Sequence, residues 1–301
     1  MKLLLTGAWK NAKKNISALE EAGHSVSFLQ FEKDEIPCAY EEIEGIVGNG
    51  LFLYHPIEKF TSLKYIQLTS AGFDRVPMDY VREHNIEIKN ARGVYSVPMA
   101  EYALFGVLEL YKKGKFFLEN QKEHKWEKHR GLCELFGKTV CIVGCGSVGT
   151  ECAKRFRAFG SKVTGVDIAV RDDENYDEMK SLEALSDMTQ RADIVVLTLP
   201  MTEETKHIIN SDIIETMKET ALIVNISRGG VIDTEALIKA LENKKIGGAV
   251  LDVFESEPLF DDSPLWDFEN VIITPHNSFV GENNDERLDR VIMENMKGAS
   301  L

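Results

Sequence analysis

The segment Thr139-Val-Cys-Ile-Val-Gly-Cys-Gly-Ser-Val-Gly149 runs β-branched residues directly into G-x-G-x-x-G, and a helical pattern follows from Thr150 to Phe159. A strand that passes into a helix through so few residues has little conformational choice. Gly144 turns the chain tightly, Gly146 lets a ligand approach the backbone, and Gly149 allows close helix-to-strand contact. The helix start then offers N–H groups without intrahelical partners and a partial positive charge, which suits a pyrophosphate. Alone, the glycine pattern is also compatible with a mere tight turn, so its surroundings decide. The next strand, Lys162 to Val166, ends at Asp167, 18 residues beyond Gly149. An acidic side chain there accepts hydrogen bonds from an adenosine ribose and repels a 2′-phosphate. The pattern predicts NAD as the cofactor, with Arg171 as the nearby residue that argues for NADP.

Around this element the chain alternates short apolar runs with helical patterns, the rhythm of parallel βα units. Strands are expected at Lys2 to Thr6, Ser25 to Leu29, Gly45 to Val47, Tyr65 to Leu68 and Ile86 to Ile88, with a helix from Ala12 to Ala22. After a helix from about Val97 to Tyr111 and a Lys-rich solvated stretch to Arg130, about six strands buried on both faces follow between Thr139 and Thr274. The expectation is an α/β chain of two domains, each a doubly wound parallel sheet. Residues 1–92 with 277–301 form one, and residues 93–276 form the other. The final helical pattern, Asn284 to Met296, aligns Leu288, Ile292 and Met296 and is expected to pack on the first domain.

Composition removes several classes. Lys plus Arg 35 against Asp plus Glu 49 gives a net charge of −14, a field that repels polyanions, so no nucleic-acid partner is expected. No apolar run is long enough to span a bilayer, and the run at Leu3 to Leu5 is too short for a signal peptide. Five cysteines in mostly apolar surroundings fit a reducing cytoplasm. Cys141 and Cys145 have no second Cys/His pair at zinc-like spacing, so no metal is predicted.

Three later segments fall at strand ends, where an open parallel sheet lines its ligand crevice. They are Val224-Asn-Ile-Ser-Arg-Gly-Gly-Val-Ile-Asp233, Leu251-Asp-Val-Phe-Glu-Ser-Glu-Pro258 and Ile273-Thr-Pro-His-Asn277. Separately, Arg228 reads as a surface ion pair, Glu257 as a charge before Pro258, and His276 as a satisfied histidine. Together they suit hydride transfer to a 2-keto acid. Arg228 grips a carboxylate and polarises the keto oxygen with its planar fork. His276 donates a proton to the developing alkoxide, and Glu257 holds the imidazole.

With these motifs in order, the chain resembles the D-isomer-specific 2-hydroxyacid dehydrogenase family over nearly its whole length. The resemblance implies a flavodoxin-like substrate domain and a Rossmann NAD-binding domain. It also implies that Arg228, Glu257 and His276 are catalytic and that Asp252 binds the nicotinamide carboxamide. Ser147 and Val148 would meet the pyrophosphate, and Pro200, Thr205, Ile226 and Ser227 would line the cofactor. In the first domain, Thr69-Ser-Ala-Gly-Phe-Asp74 resembles the loop whose backbone N–H groups, here of Ala71 and Gly72, hold the substrate carboxylate. Asn277-Ser278 departs from the family's usual aliphatic residue followed by Gly or Ala, so an altered carboxamide pocket is expected.

The chain stops soon after its last helix, so no serine-sensing regulatory domain is expected. The formate- and phosphite-oxidising branches of the family are disfavoured. A homodimer closed by the cofactor domain and the Lys112 to Arg130 stretch is expected. The alternative reading is an NADH-responsive scaffold like the corepressors that resemble this family. The side-chain pocket would draw on residues such as Trp9, Asn49, Leu51, Tyr54 and Phe73, with Trp126 supplied by a neighbouring subunit.

Overall fold

A computed structural model describes residues 1–298. The chain divides into two compact units, Met1–Tyr95 with Gly281–Leu301 (unit 1) and Ser96–Val280 (unit 2), a few residues from the boundaries read in the sequence.

Unit 1 carries β1 (Lys2–Thr6), α1 (Ala12–Glu21), β2 (Ser25–Leu29), β3 (Gly45–Gly48), β4 (Tyr65–Leu68), α2 (Met78–Glu83) and β5 (Glu87–Lys89). The strands form one parallel sheet in the order β2-β1-β3-β4-β5, the flavodoxin-like arrangement. Strand alternation sends consecutive residues to opposite faces, and the two cores follow it. Leu3, Leu5, Val47 and Tyr65 lie in one cluster, whereas Leu4, Ile46 and Ile66 lie in the other.

Trp9 belongs to the first of these cores, at 1% exposure, and its Nε1 donates to Asp289 Oδ1 at 2.6 Å. Leu51 is equally buried in the second core. Neither side chain is presented to a ligand, which corrects their place in the expected pocket. An apolar residue after a strand reads the same whether it fills a core or faces a cleft.

Unit 2 begins with α3 (Ser96–Lys112) and α4 (Gly114–Lys122), then β6 (Thr139–Val143), α5 (Ser147–Ala158), β7 (Lys162–Val166) and β8 (Glu178–Lys180). Next come α6 (Leu185–Arg191), β9 (Ile194–Leu197), α7 (Ser211–Thr216), β10 (Leu222–Asn225), α8 (Thr234–Glu242), β11 (Gly248–Leu251) and β12 (Val271–Ile273). The last helix, α9 (Asn284–Gly298), belongs to unit 1, where Leu288, Ile292 and Met296 pack beside Trp9.

All strands of unit 2 are parallel, in the order β12-β11-β10-β9-β6-β7-β8. This is the Rossmann order with a further strand beyond β11. The sheet has seven strands where the sequence suggests about six. The addition, β8, is a three-residue Glu-Met-Lys edge with no residue fully buried, so it lacks the apolar run that announces the others. The central strands β9, β10 and β11 are buried at every position.

Burial also governs the thiols. All five cysteines are free. Desolvation pushes Cys141, Cys145 and Cys152 up to about 12, so almost none of these three is thiolate near neutral pH. A disulfide-exchange reagent at pH 8 should therefore modify only exposed Cys133 and half-buried Cys38 in the native protein, and all five after denaturation. Rapid reaction of a third thiol in the native state would contradict this packing.

Candidate active site

The glycine-rich turn sits at the carboxyl end of β6. Gly144 has φ +96°, and a Cβ there would lie 2.5 Å from the backbone nitrogen of Leu199. At Gly149 a Cβ would lie 2.2 Å from the Gly144 carbonyl oxygen. Gly146 meets nothing within 4 Å, so open space lies over the start of α5. The first helical bond back to this turn runs from Thr150 N–H to Gly146 O at 2.9 Å, so the N–H groups of Ser147, Val148 and Gly149 have no backbone acceptor among the described residues. An open backbone cradle at a helix start fits a dinucleotide pyrophosphate.

Asp167 follows β7. Its Oδ2 accepts from the Cys145 N–H at 2.6 Å and its Oδ1 from the Ala169 N–H at 2.9 Å. A carboxylate offers about four lone-pair sites, so each oxygen retains capacity for a ribose hydroxyl. At the end of β9, Thr205 Oγ1 donates to Pro200 O at 2.8 Å and accepts from Thr202 N–H at 2.7 Å, which ties that loop to itself. Pro200 is exposed, whereas Ile226 is buried in the core with Val224 and Val250.

At the end of β10, a buried amide shapes the turn. Asn225 Oδ1 accepts from both the N–H and the hydroxyl of Ser227, and its Nδ2 donates to Arg228 O at 2.9 Å. Arg228 is half-buried, and its Nη1 donates to Ser227 O at 2.8 Å.

The ends of β11 and β12 are joined by Asp252. Its fully buried carboxylate accepts from Thr274 Oγ1 at 2.6 Å, Asn277 N–H at 2.7 Å and Ser278 N–H at 2.9 Å. Tyr102 OH, 2.7 Å from Thr274 Oγ1, extends the chain of hydrogen bonds. The residue held inside this turn is His276, whose φ is +51°, a left-handed value that few side chains adopt without support. Its N–H donates to Asp252 O at 2.8 Å.

Its ring then meets Glu257, with Nδ1 2.8 Å from Oε2. The other carboxylate oxygen of Glu257 accepts from Phe254 N–H at 3.1 Å, so the glutamate is itself held. Because an ionised carboxylate only accepts, Nδ1 carries hydrogen in this pair and Nε2 is the atom left for exchange. The structure thus brings Glu257 and His276 together, and brings Asp167 to the glycine-rich turn.

In unit 1 the loop after β4 has its carbonyls tied back. Ser70 Oγ donates to Gly72 O at 3.0 Å, and Asn90 Nδ2 donates to Ala71 O at 2.6 Å. The N–H groups of Ala71 and Gly72 are left without a protein acceptor among the described residues. Asn90 and Asn225 were not singled out in the sequence. The one hint they carry is an asparagine at the end of a strand, where a side-chain amide can organise a turn.

Comparison with known proteins agrees with this architecture. Residues 104–278 match the family model described as the NAD-binding domain of D-isomer specific 2-hydroxyacid dehydrogenases. The hydroxypyruvate reductase of Thermotoga maritima is 35% identical over 275 residues, covering 89% of this chain and 88% of that protein. A D-lactate dehydrogenase from Aquifex aeolicus, solved with NAD and lactic acid, is 26% identical with a TM-score of 0.79, covering 99% of this chain and 95% of that one. A family member from Xanthobacter autotrophicus Py2, solved with NADPH and MES, is 27% identical with a TM-score of 0.78, covering 98% and 93%.

The fold and the motif order define a two-domain α/β oxidoreductase that uses a nicotinamide cofactor. The chain belongs to the D-isomer specific 2-hydroxyacid dehydrogenase family. These relatives lend no support to the corepressor-like reading.

Asp252→Asn tests the turn. An asparagine must present its NH2 group to one of the three donors, so a buried N–H or hydroxyl loses its acceptor. The expected cost is about 1–3 kcal/mol of stability, read as a lowered thermal midpoint. Turnover should fall further than stability explains, because His276 loses its support. An Asn variant with wild-type melting and turnover would show that the turn stands without the charge.

Proposed function

We propose that this protein interconverts a small 2-keto acid and the corresponding D-2-hydroxy acid with NAD(H). The observation that carries the reading is the Glu257–His276 pair, held at 2.8 Å at the carboxyl edge of the same sheet as the glycine-rich cradle. NAD, when bound, supplies or accepts the hydride. Gly144, Gly146, Ser147, Val148 and Gly149 hold its pyrophosphate, and Asp167 its adenosine ribose. Pro200, Thr205, Ile226, Ser227 and Asp252 line or support the rest of the cofactor site. Residues 1–92 with 277–301 serve as the substrate domain and residues 93–276 as the NAD-binding domain.

Arg228 serves to hold the substrate carboxylate and polarise the keto oxygen, and the N–H groups of Ala71 and Gly72 in unit 1 are donors of the kind a carboxylate takes. In reduction, His276 Nε2 delivers a proton to the oxygen that becomes the hydroxyl; in oxidation the same atom takes it back. Glu257 holds the ring by Nδ1 throughout.

Since related structures carry either NAD or NADPH, the preference rests on this chain's own residues. A 2′-phosphate near Asp167 meets repulsion of about 1–4 kcal/mol per unit charge at a separation of about 4 Å, between the limits of water and of a protein surface. NADH is therefore favoured. Free thiols and the lack of any helix, among the described residues, long and apolar enough to cross a membrane are consistent with a cytoplasmic setting.

A homodimer accounts for the segment after α4. Residues 123–134 form no helix or strand and are almost wholly exposed, with Trp126 at 97%, and Leu118, Leu132 and Phe136 are also exposed. So much apolar surface in a stretch without its own core suits burial against a second copy. Sedimentation should give twice the 33.9 kDa chain mass, and a monomer at micromolar concentration would overturn it.

The decisive test is NADH oxidation with pyruvate, glyoxylate, hydroxypyruvate and branched 2-keto acids, followed by chiral analysis of the product. Turnover of none, or an L-product, would overturn the reading. Arg228→Lys keeps the charge and loses the fork, so kcat/KM should fall at least ~10²-fold, on the order of 2.7 kcal/mol. A Lys variant at near wild-type rate would remove Arg228 from its role.

A further inference from the structure

Arg171 stands five positions after β7, close to where the adenosine ribose is proposed to bind, and a guanidinium there invites assignment as a 2′-phosphate receptor. Its contacts point elsewhere. Arg171 Nη2 donates to the carbonyl oxygen of Cys145 at 2.7 Å and lies 3.2 Å from Asp173 Oδ2. Asp173 is in turn held through its other oxygen, by the N–H of Asn175 at 3.0 Å and its Nδ2 at 2.8 Å. The guanidinium is therefore anchored on the protein at both contacts, although its side chain is 42% exposed.

Cys145 is the residue between the first two glycines of the fingerprint, and its side chain is buried. Asp167 takes its N–H at 2.6 Å and Arg171 takes its C=O at 2.7 Å. One loop thus grips one residue of the other at both ends. A trans peptide is planar, so the C=O of Cys145 and the N–H of Gly146 point in opposite directions. Pulling the carbonyl toward Arg171 turns the Gly146 N–H away from it, and that N–H has no acceptor among the described residues. Gly146 is also where the cradle is open, since a Cβ there would meet nothing within 4 Å.

We propose that Arg171 is a positioning residue for the dinucleotide. Together with Asp167 it clamps the Cys145 residue and so aims the Gly146 N–H at the pyrophosphate, rather than serving as a receptor for a 2′-phosphate. The inference deepens the NAD reading above and rests on it. It assigns opposite tasks to two neighbouring residues: Asp167 discriminates between the cofactors, and Arg171 serves whichever is bound. The pyrophosphate is common to NADH, NADPH and ADP-ribose, so a clamp on its cradle affects all three alike.

The test is equilibrium binding of NADH, NADPH and ADP-ribose to the full-length wild type, Arg171→Ala and Arg171→Lys. Nicotinamide fluorescence reads the first two, and calorimetry the third. Loss of one charge-assisted hydrogen bond predicts Kd values raised about tenfold in Arg171→Ala for all three ligands, with the NADPH-to-NADH ratio unchanged. Arg171→Lys retains a cation that can reach the carbonyl and should recover part of the loss for each ligand. A general structural fault would lower the thermal midpoint and would not be rescued in this graded way.

Two results overturn the inference while leaving the dehydrogenase reading intact. One is an Arg171→Ala variant that loses affinity for NADPH alone, which makes Arg171 the phosphate receptor. The other is a variant that binds all three ligands like wild type. A wild-type protein that binds none of them overturns both the dehydrogenase reading and the clamp.

Discussion

Parallel strands leave all their carboxyl ends on one edge of a sheet, and in unit 2 that constraint decides where polar chemistry can stand. Strands β9, β10 and β11 are buried at every residue, so their interiors hold apolar side chains almost exclusively. Each such side chain contributes about 1.5–3 kcal/mol by leaving water. Polar groups placed within those runs would forfeit that gain and need partners as well. The turns at the strand ends carry no such requirement, and residues as distant in sequence as Gly144, Asp167, Arg228 and His276 all fall there. The site is a consequence of the sheet's direction before it is a consequence of any one residue.

A second constraint acts on the turns themselves. A loop that binds an anion through N–H groups must keep its own carbonyls out of the way. In unit 1, Asn90 and Ser70 draw the carbonyls of Ala71 and Gly72 toward protein donors. Because a peptide is planar, the grip on Ala71 C=O also turns the Gly72 N–H the other way. In unit 2, Thr198 Oγ1 holds Gly144 O at 2.5 Å, and Arg171 holds Cys145 O. In the anion-binding roles proposed for these loops the donors are backbone groups, and the side chains nearby occupy the acceptors beside them.

That division explains what was legible in the sequence. The central strands were readable because burial on both faces requires continuous apolar runs, and the edge strand β5 because Ile86 and Ile88 alternate with a polar residue, whereas β8 offers Met179 alone between Glu178 and Lys180. Glu257 and His276 were readable because both stand just beyond such runs, at adjacent strand ends. Trp9 and Leu51 were misplaced because apolar character does not say which cavity a side chain fills. Asp252 is the sharper case. The family resemblance assigns it to the cofactor, yet its partners are Thr274, Asn277 and Ser278, between 22 and 26 positions later. No local pattern announces a carboxylate whose donors arrive with the next strand.

The magnitudes at that carboxylate show why the arrangement holds. A non-glycine residue kept in the left-handed region costs on the order of 1–3 kcal/mol, and His276 is such a residue. Hydrogen bonds to a charged acceptor contribute about 1.5–3 kcal/mol each, and Asp252 takes two of its three from the backbone immediately after His276. Two bonds of that size offset the strain and leave a surplus. The backbone then sets the direction of the His276 Cα–Cβ bond, and the hydrogen bond to Glu257, itself held by Phe254 N–H, fixes the torsions of the ring. In the role proposed above, a proton donor held by the backbone on one side and by Glu257 on the other would lose little freedom on binding substrate, because folding has already met that ordering.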